Sequence, residues 1–259
     1  MIDGLKHYWI NRDSDLERAA FMRRWLSSHE LDNSRVSAIT PNSLPKLLTL
    51  PGYELGNSRV ELSCLCSHIT AIKRAYQDGC DYAVILEDDI VPAYICDFSA
   101  LMASAPSGWQ ILQLSVVNEQ AILNAAKSFQ ITGEIWQQWD FPSWGMGAYI
   151  INRSGMQRIM SLFSPLESKT VDLRRVRKYK KLVSDYILYR YLDAYSCTFQ
   201  IFLVSNLFGS TIHPKHCDAF HLPATKLSEK MHSWIDFNHK KKGAFNPIFI
   251  TKRFGINIK

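Results

Sequence analysis

The chain has 259 residues, 47% hydrophobic and 12% aromatic, which fills one large α/β core or two small ones and excludes a disordered chain. Its formal net charge of +6 suits an anionic substrate or membrane surface, but the excess is too diffuse for nucleic-acid binding. No apolar run approaches the roughly 18–20 residues that span a bilayer, and the first residues, Met1 to Lys6, lack the apolar core of a signal peptide. A soluble, cytoplasmic protein is expected, with peripheral attachment to the inner face of a membrane as the alternative.

Leu5 to Ile10 reads as a first strand ending in Asn11-Arg12-Asp13. Ser14, followed three residues later by Glu17, reads as a capping box that starts a helix through about Leu31. Leu16, Ala19, Met22 and Leu26 recur at helical spacing and would face a sheet. Arg35 to Ile39 is a short second strand. The following stretch, to Asn57, carries Pro41, Pro45, Pro51 and Gly52 and is expected to be mostly loop. A strong helix is then predicted from about Asn57 to Gln77, with Leu62, Leu65, Ile69, Ile72 and Tyr76 forming one apolar stripe. Glu61, Cys64 and His68 lie on a neighbouring face, and Gly79 is a suitable stop.

Tyr82-Ala83-Val84-Ile85-Leu86-Glu87-Asp88-Asp89 is the most informative run. Its apolar part reads as a strand buried on both faces of a parallel sheet. Its three acids would emerge at the carboxyl edge, where open α/β sheets bind ligands. Crowded carboxylates repel and resist desolvation, so a divalent cation holding a diphosphate is a natural compensation; a solvated acidic turn is the plain alternative.

Asp97 to Ala105 follows as a weak helix, then Trp109 to Leu114 as a strand. Glu134 to Ser143, with Asp140 and Pro142, reads as a tryptophan-rich loop. Gly145 to Ile151 is a strand and Ser154 to Phe163 a helix. The basic cluster Arg174, Arg175, Arg177, Lys178, Lys180 and Lys181 precedes a helix from about Ser184 to Asp193. Thr198 to Val204 is a strand, and the remainder, including Lys240 to Lys242, is expected to be irregular and basic. Strands and helices alternate, which predicts an α/β fold with a mixed, mainly parallel sheet flanked by helices. Cys64, Cys66, Cys80, Cys96, Cys197 and Cys217 show no paired metal spacing and read as buried free thiols.

Several segments in order resemble glycosyltransferase family 25, the lipooligosaccharide and collagen-galactosyltransferase type. They are Tyr8-Trp9-Ile10-Asn11 with Asp15, Arg18 and Met22; Glu61 to His68; Leu86-Glu87-Asp88-Asp89-Ile90; Gly147 to Ile151 with Gly155; Asp185; and Gly209-Ser210-Thr211-Ile212. The likeness runs from about residue 5 to 213. The chain departs from the family pattern at Arg59-Val60 and Ser63, in the basic insert and beyond His216. A division into residues 1–216, a GT-A type domain, and 217–259, a basic extension, follows.

What the resemblance implies is a GT-A type enzyme that moves a hexose, galactose or glucose, from a UDP-sugar to a hydroxyl of a surface glycan or lipid-linked glycan, with inversion. Asp89, with Glu87, is expected to hold Mg²⁺ or Mn²⁺, with Asp88 as the alternative because neighbouring residues of an extended segment point oppositely. His213 or His216 is a candidate further ligand, and Lys215 a diphosphate contact. Asn11, Arg12 and Arg18 follow the first strand, where the donor's base and phosphates would lie; a solvated helix face serves Arg18 equally. Asp185 is the expected base, with a helix cap as its rival role and Asp140 and Glu134 as alternatives. Trp136, Trp139 and Trp144 suit sugar faces or simply the core. His68 and Glu61 are read as a buried hydrogen-bonded pair supporting the acidic strand. The basic cluster, with Lys240 to Lys242, reads as solvent-facing charge or, more sharply, as a docking surface for anionic lipid. Other readings are a metal-dependent nuclease or nucleotidyltransferase, and a glycan-binding relative without turnover. The lack of a Gly-rich phosphate loop counts against the nuclease.

Overall fold

The computed structural model describes residues 5–52, 56–163, 170–176, 183–205, 207–210, 212, 217–242 and 250–253. The first part of the chain forms β1 (Lys6–Asn11), α1 (Leu16–Ser28), β2 (Asn33–Ser37), β3 (Lys46–Leu48), α2 (Arg59–Gln77), β4 (Tyr82–Glu87), β5 (Ile90–Pro92) and β6 (Tyr94–Cys96). Next come α3 (Phe98–Ala103), β7 (Ile111–Gln113), α4 (Glu119–Thr132), β8 (Trp136–Gln138), β9 (Ala148–Asn152), α5 (Arg153–Phe163) and β10 (Thr170–Asp172). Then follow α6 (Ser184–Arg190), β11 (Ala194–Cys197), β12 (Phe202–Val204), α7 (Leu222–Lys242) and β13 (Ile250–Arg253).

Seven strands make the central sheet in the order β2-β1-β4-β9-β7-β11-β8. β1 lies parallel to β2 and β4, and β7 parallel to β11. β9 runs antiparallel between β4 and β7, and β8 antiparallel on the edge. The sheet is therefore mixed and mainly parallel, in an α/β fold, as the alternation of elements predicts. Residues 83–86 of β4 are fully buried because both faces are covered. Ala83 and Ile85 join the core packed by α2 and α5, whereas Val84 and Leu86 join the core that takes Met22 and Leu26 of α1.

α2 is held at its start by a capping box. Ser58 Oγ accepts from the Glu61 amide at 3.2 Å, and Glu61 Oε2 accepts from the Ser58 amide at 2.8 Å. This overturns the expected Glu61–His68 pair, since Glu61 is spent at the cap. Gly79, at φ +81°, lets the chain leave the helix. The Ser14 capping box of α1 is also absent. Asp15 occupies the cap position, and its carboxylate takes the fork of Arg12 at 2.7 and 3.0 Å instead of backbone amides. The left-handed Glu30, at φ 53°, ends this region ahead of the expected Leu31.

Other differences arise where a short or polar pattern was settled by its neighbours. β3 lies within the stretch expected as loop, paired with β10. β8 lies within the tryptophan-rich segment because β11 offers it an edge. α4 was not predicted, although Asn118 caps it by accepting from the Ala121 amide at 2.8 Å and Gly133 closes it in the left-handed region. The C-terminal part is not irregular, since Leu222 to Lys242 is helical. Ala224, with Leu227 and Met231 beside it, packs on Val116, Ala121 and Ile122, and Thr225 Oγ1 donates to the Val204 carbonyl at 3.3 Å.

Candidate active site

The ends of β1 and β4 lie side by side, and the acids leave β4 there. The Glu87 amide still donates to the Gly147 carbonyl at 2.8 Å, and the Asp89 carbonyl accepts from the Ser205 amide at 2.6 Å, so both ends of the run are tied to the frame. Asp88 is buried. Its Oδ2 accepts from Asn11 Nδ2 at 2.7 Å and its Oδ1 from Arg18 Nη1 at 2.7 Å. The same Arg18 nitrogen reaches Asp89 Oδ2 at 3.1 Å, while Nη2 donates to the Gly209 carbonyl. Arg18 is thus buried between two acids rather than solvated on the helix face.

Asp89 Oδ1 is buried and accepts no hydrogen bond from the described residues. Burial, and then the charge of Glu87, push the Asp89 carboxyl up to about 7, against the pull of Arg18. Burial also raises Asp88 despite Asn11 and Arg18. Glu87 behaves oppositely. Burial opposes its charge, but the His68 contact, with His221 and Arg18 farther off, holds it below the usual carboxylate range. His68 Nε2 lies 3.2 Å from Glu87 Oε1, and its Nδ1 3.2 Å from the Tyr149 hydroxyl. The expected hydrogen-bonded support of the acidic strand by the α2 helix therefore comes from His68 rather than from a Glu61–His68 pair.

Asp185, at the start of α6, is buried within reach of the charge of Glu87. Its Oδ2 accepts from the Gly145 amide at 2.9 Å and its Oδ1 from the Tyr186 amide at 2.8 Å. Burial raises its carboxyl, those backbone amides lower it, and Glu87 raises it further. Gly145 is fixed from several directions. Gln113 Nε2 and the Tyr189 hydroxyl both donate to its carbonyl, at 2.8 and 3.0 Å. A Cβ there would stand 2.7 Å from the Ser115 carbonyl oxygen.

Asn11, Arg18, Glu87, Asp88 and Asp89 are brought together, with Asp185 facing Glu87's charge. Arg12 lies beside them, forked on Asp15. Asp140 stands exposed at a turn, accepting from the Phe141 amide, and Glu134 is exposed just after α4. Trp136 is buried and donates to Ser104 Oγ, and Trp139 packs against Tyr186 and Tyr189. Trp144 meets Phe141 and Phe220 edge to face. His213, Lys215 and His216 lie outside the described residues, as do Arg177, Lys178, Lys180 and Lys181. Arg174 is already paired with Asp172 at 2.8 Å.

Sequence reasoning missed Arg35 and Tyr149. Arg35 Nε donates to Asn11 Oδ1 at 2.8 Å, which turns the Asn11 amide nitrogen toward Asp88. That contact exists because β1 and β2 pair in parallel with Trp9 opposite Arg35, a register no local pattern reveals.

Residues 5–174, well over half of the chain, match the family described as Glycosyltransferase family 25 (LPS biosynthesis protein). The chain belongs to glycosyltransferase family 25. It is accordingly a glycosyltransferase, an enzyme that moves a sugar from a donor to an acceptor. None of the curated proteins matches it. Among solved structures, the family 25 chain is similar to A197 from STIV, with 12% identity, 77% of this chain and 83% of that chain covered, and a TM-score of 0.41. A glycosyltransferase involved in glycosylation of the major capsid of PBCV-1 shares 8% identity over 89% and 99% of the two chains, with a TM-score of 0.38. Mouse xyloside xylosyltransferase 1 in its apo form shares 12% over 62% and 56%, with a TM-score of 0.29. Among the described residues of this family 25 enzyme, no helix is long and apolar enough to cross a membrane.

Proposed function

We propose that this family 25 enzyme transfers a hexose from a UDP-sugar to a hydroxyl of a surface or lipid-linked glycan, inverting the anomeric centre, with a divalent cation at Asp89. The buried, unpartnered Asp89 Oδ1 carries the reading. An acceptor oxygen shut from water without a donor is costly, and a ligand with positive charge satisfies it. Glu87, Asp88 and Asp89 bring more negative charge than Arg18 offsets. These carboxylate oxygens fit Mg²⁺ or Mn²⁺, held by Asp89 with Glu87. Such a cation, when bound, supplies Lewis-acid charge against the leaving diphosphate.

The chain's own residues do the rest. Arg18 and Asn11 hold Asp88 as the rigid wall of the donor site, so the neighbouring carboxylates need little reorganisation as charge develops. Arg12, half-exposed at the end of β1, is placed to meet the donor's base or phosphates. Asp185 is the base in this reading. Burial and the nearby charge of Glu87 raise its affinity for a proton, which suits removal of the acceptor's hydroxyl proton. The basic cluster around Arg174 and Arg175 would meet the anionic carrier of a lipid-linked acceptor.

A panel of sugar nucleotides, scored for Mn²⁺-dependent release of free nucleotide with and without glycan acceptor, tests the proposal. UDP-galactose or UDP-glucose is expected to turn over, and Asp89→Asn to abolish it. Full turnover by Asp89→Asn would place the chemistry elsewhere. For Asp185→Asn, donor binding is expected to persist while transfer collapses, and an unchanged transfer rate would remove Asp185 as the base.

A further inference from the structure

A second cluster shares Glu87 with the donor site and adds two side chains, Cys64 and His68, that the transfer just described does not use. Cys64 and His68 stand four residues apart on α2, hence one above the other on the same helix face. Cys64 Sγ, a ring nitrogen of His68 and a carboxylate oxygen of Glu87 all lie within 4.8 Å of one another. Thiol, imidazole and carboxylate form a zinc-type donor set, distinct from the all-oxygen set that favours Mg²⁺ or Mn²⁺. A tetrahedral zinc at ~2.0–2.3 Å from each donor wants them roughly 3.5 Å apart, so a small side-chain closure completes three ligands and leaves water the fourth position.

The surroundings are already arranged for such an ion. His68 is 1% exposed, and its Nδ1 is held by the Tyr149 hydroxyl, the kind of outer contact that fixes the ring of a metal-bound histidine. That leaves Nε2 directed at Glu87. The Glu87 side chain is 31% exposed and Cys64 is half-buried, so an ion has a way in from solvent.

We propose that Cys64, His68 and Glu87 form a second metal site, selective for a thiophilic divalent cation such as Zn²⁺, whose occupation withdraws Glu87 from the sugar-donor site. Zinc takes the place of the Cys64 thiol proton, which passes to solvent, and enters between Glu87 and His68 Nε2; the imidazole proton then resides on Nδ1, donated to the Tyr149 hydroxyl oxygen, so that the Nε2 lone pair meets the metal. The site itself stands on the observed cluster; only its effect on turnover rests on the donor-site reading above. Zinc would then inhibit transfer, while Mn²⁺, indifferent to thiols, would not compete there.

The test is a Co²⁺ titration of the chelator-treated full chain without sugar donor. Wild type is expected to develop a thiolate-to-cobalt charge-transfer absorption that saturates at one equivalent and is bleached by Zn²⁺. Cys64→Ser is expected to lose the band. Glu87→Gln keeps the thiol and imidazole and is expected to retain the band with affinity at least ~10-fold weaker. Tyr149→Phe should weaken binding ~10–100-fold through the freed His68 ring. Thermal melts establish that each variant is folded, and Cys64→Ala replaces Cys64→Ser should the latter fail to fold. Absence of the band in wild type, or its persistence without Cys64, overturns the site and leaves the glycosyltransferase reading standing. In a second arm, Zn²⁺ is added to the Mn²⁺-supported nucleotide-release assay. Inhibition of wild type that Cys64→Ser escapes supports the coupling, and equal sensitivity of both overturns it.

Discussion

His7 shows how one misplaced proton affects this fold. Its ring is buried at the start of β1, with Nδ1 3.2 Å from the Asp32 carbonyl and Nε2 without a partner among the described residues. Burial lowers its pKa from 6.5 to about 4, the Asp32 contact only partly opposing. Between those values the unfolded chain binds a proton that the folded one refuses. Stability therefore rises with pH through that window and is lost as pH falls from about 6.5 toward 4, by up to about 3 kcal/mol. His7→Leu is expected to flatten urea midpoints between pH 7 and 4.5, and an undiminished slope would assign the acid sensitivity to other groups. Arg18 poses the opposite case, a buried cation serving two acids. Arg18→Gln leaves Asp88 and Asp89 together without it, at a cost of about 3–5 kcal/mol. Urea unfolding should show that loss, with Mn²⁺ recovering part of it if the cation binds the vacated acids. The acids themselves were legible as an unbroken run after an apolar strand. Their surroundings were not, because Arg18 reaches Asp88 and Asp89 from α1, and Arg35 orients Asn11 from β2.

At the scale of elements, α2 and β4 were readable because each carries its own signal. α2 has a full apolar stripe, a capping box and a glycine stop, and β4 an uninterrupted buried run. α4 lacked a comparable stripe, with Ala121 and Ile122 packed on α7 and Phe129 alone joining the core on the sheet. The short strands β3 and β8 exist only because β10 and β11 pair with them. The turn before β9 is the element on which the site depends most. Gly145 has φ +133°, and a Cβ would meet the Ser115 carbonyl oxygen at 2.7 Å. Gly145→Ala is expected to cost about 2 kcal/mol or more and to displace the amide that Asp185 accepts from. Thermal melts paired with transfer assays should show activity falling further than stability. Equal falls would mean that this turn merely supports the fold.

Across the whole molecule, the C-terminal segment is part of the structure. Thr225, Ser228 and His232 are buried, and α7 covers α4 and the end of β12. Ending the chain at residue 216 would expose Val116, Ala121 and Ile122 together. The truncated chain is expected to unfold at lower urea concentration, or to aggregate on expression. A truncation as stable as the full chain would show that the boundary after residue 216 separates an independent unit.

Local chemistry alone determined the α/β class, the long helix α2, the buried strand β4 and the position of its acids at the strand's end. These follow from periodicity and from carboxylates that cannot enter an apolar core. Only the tertiary structure decided which groups answer those acids. Asn11, Arg18 and His68 come from three separate elements, and a charge's partner depends on distance in space, which the order of residues does not record.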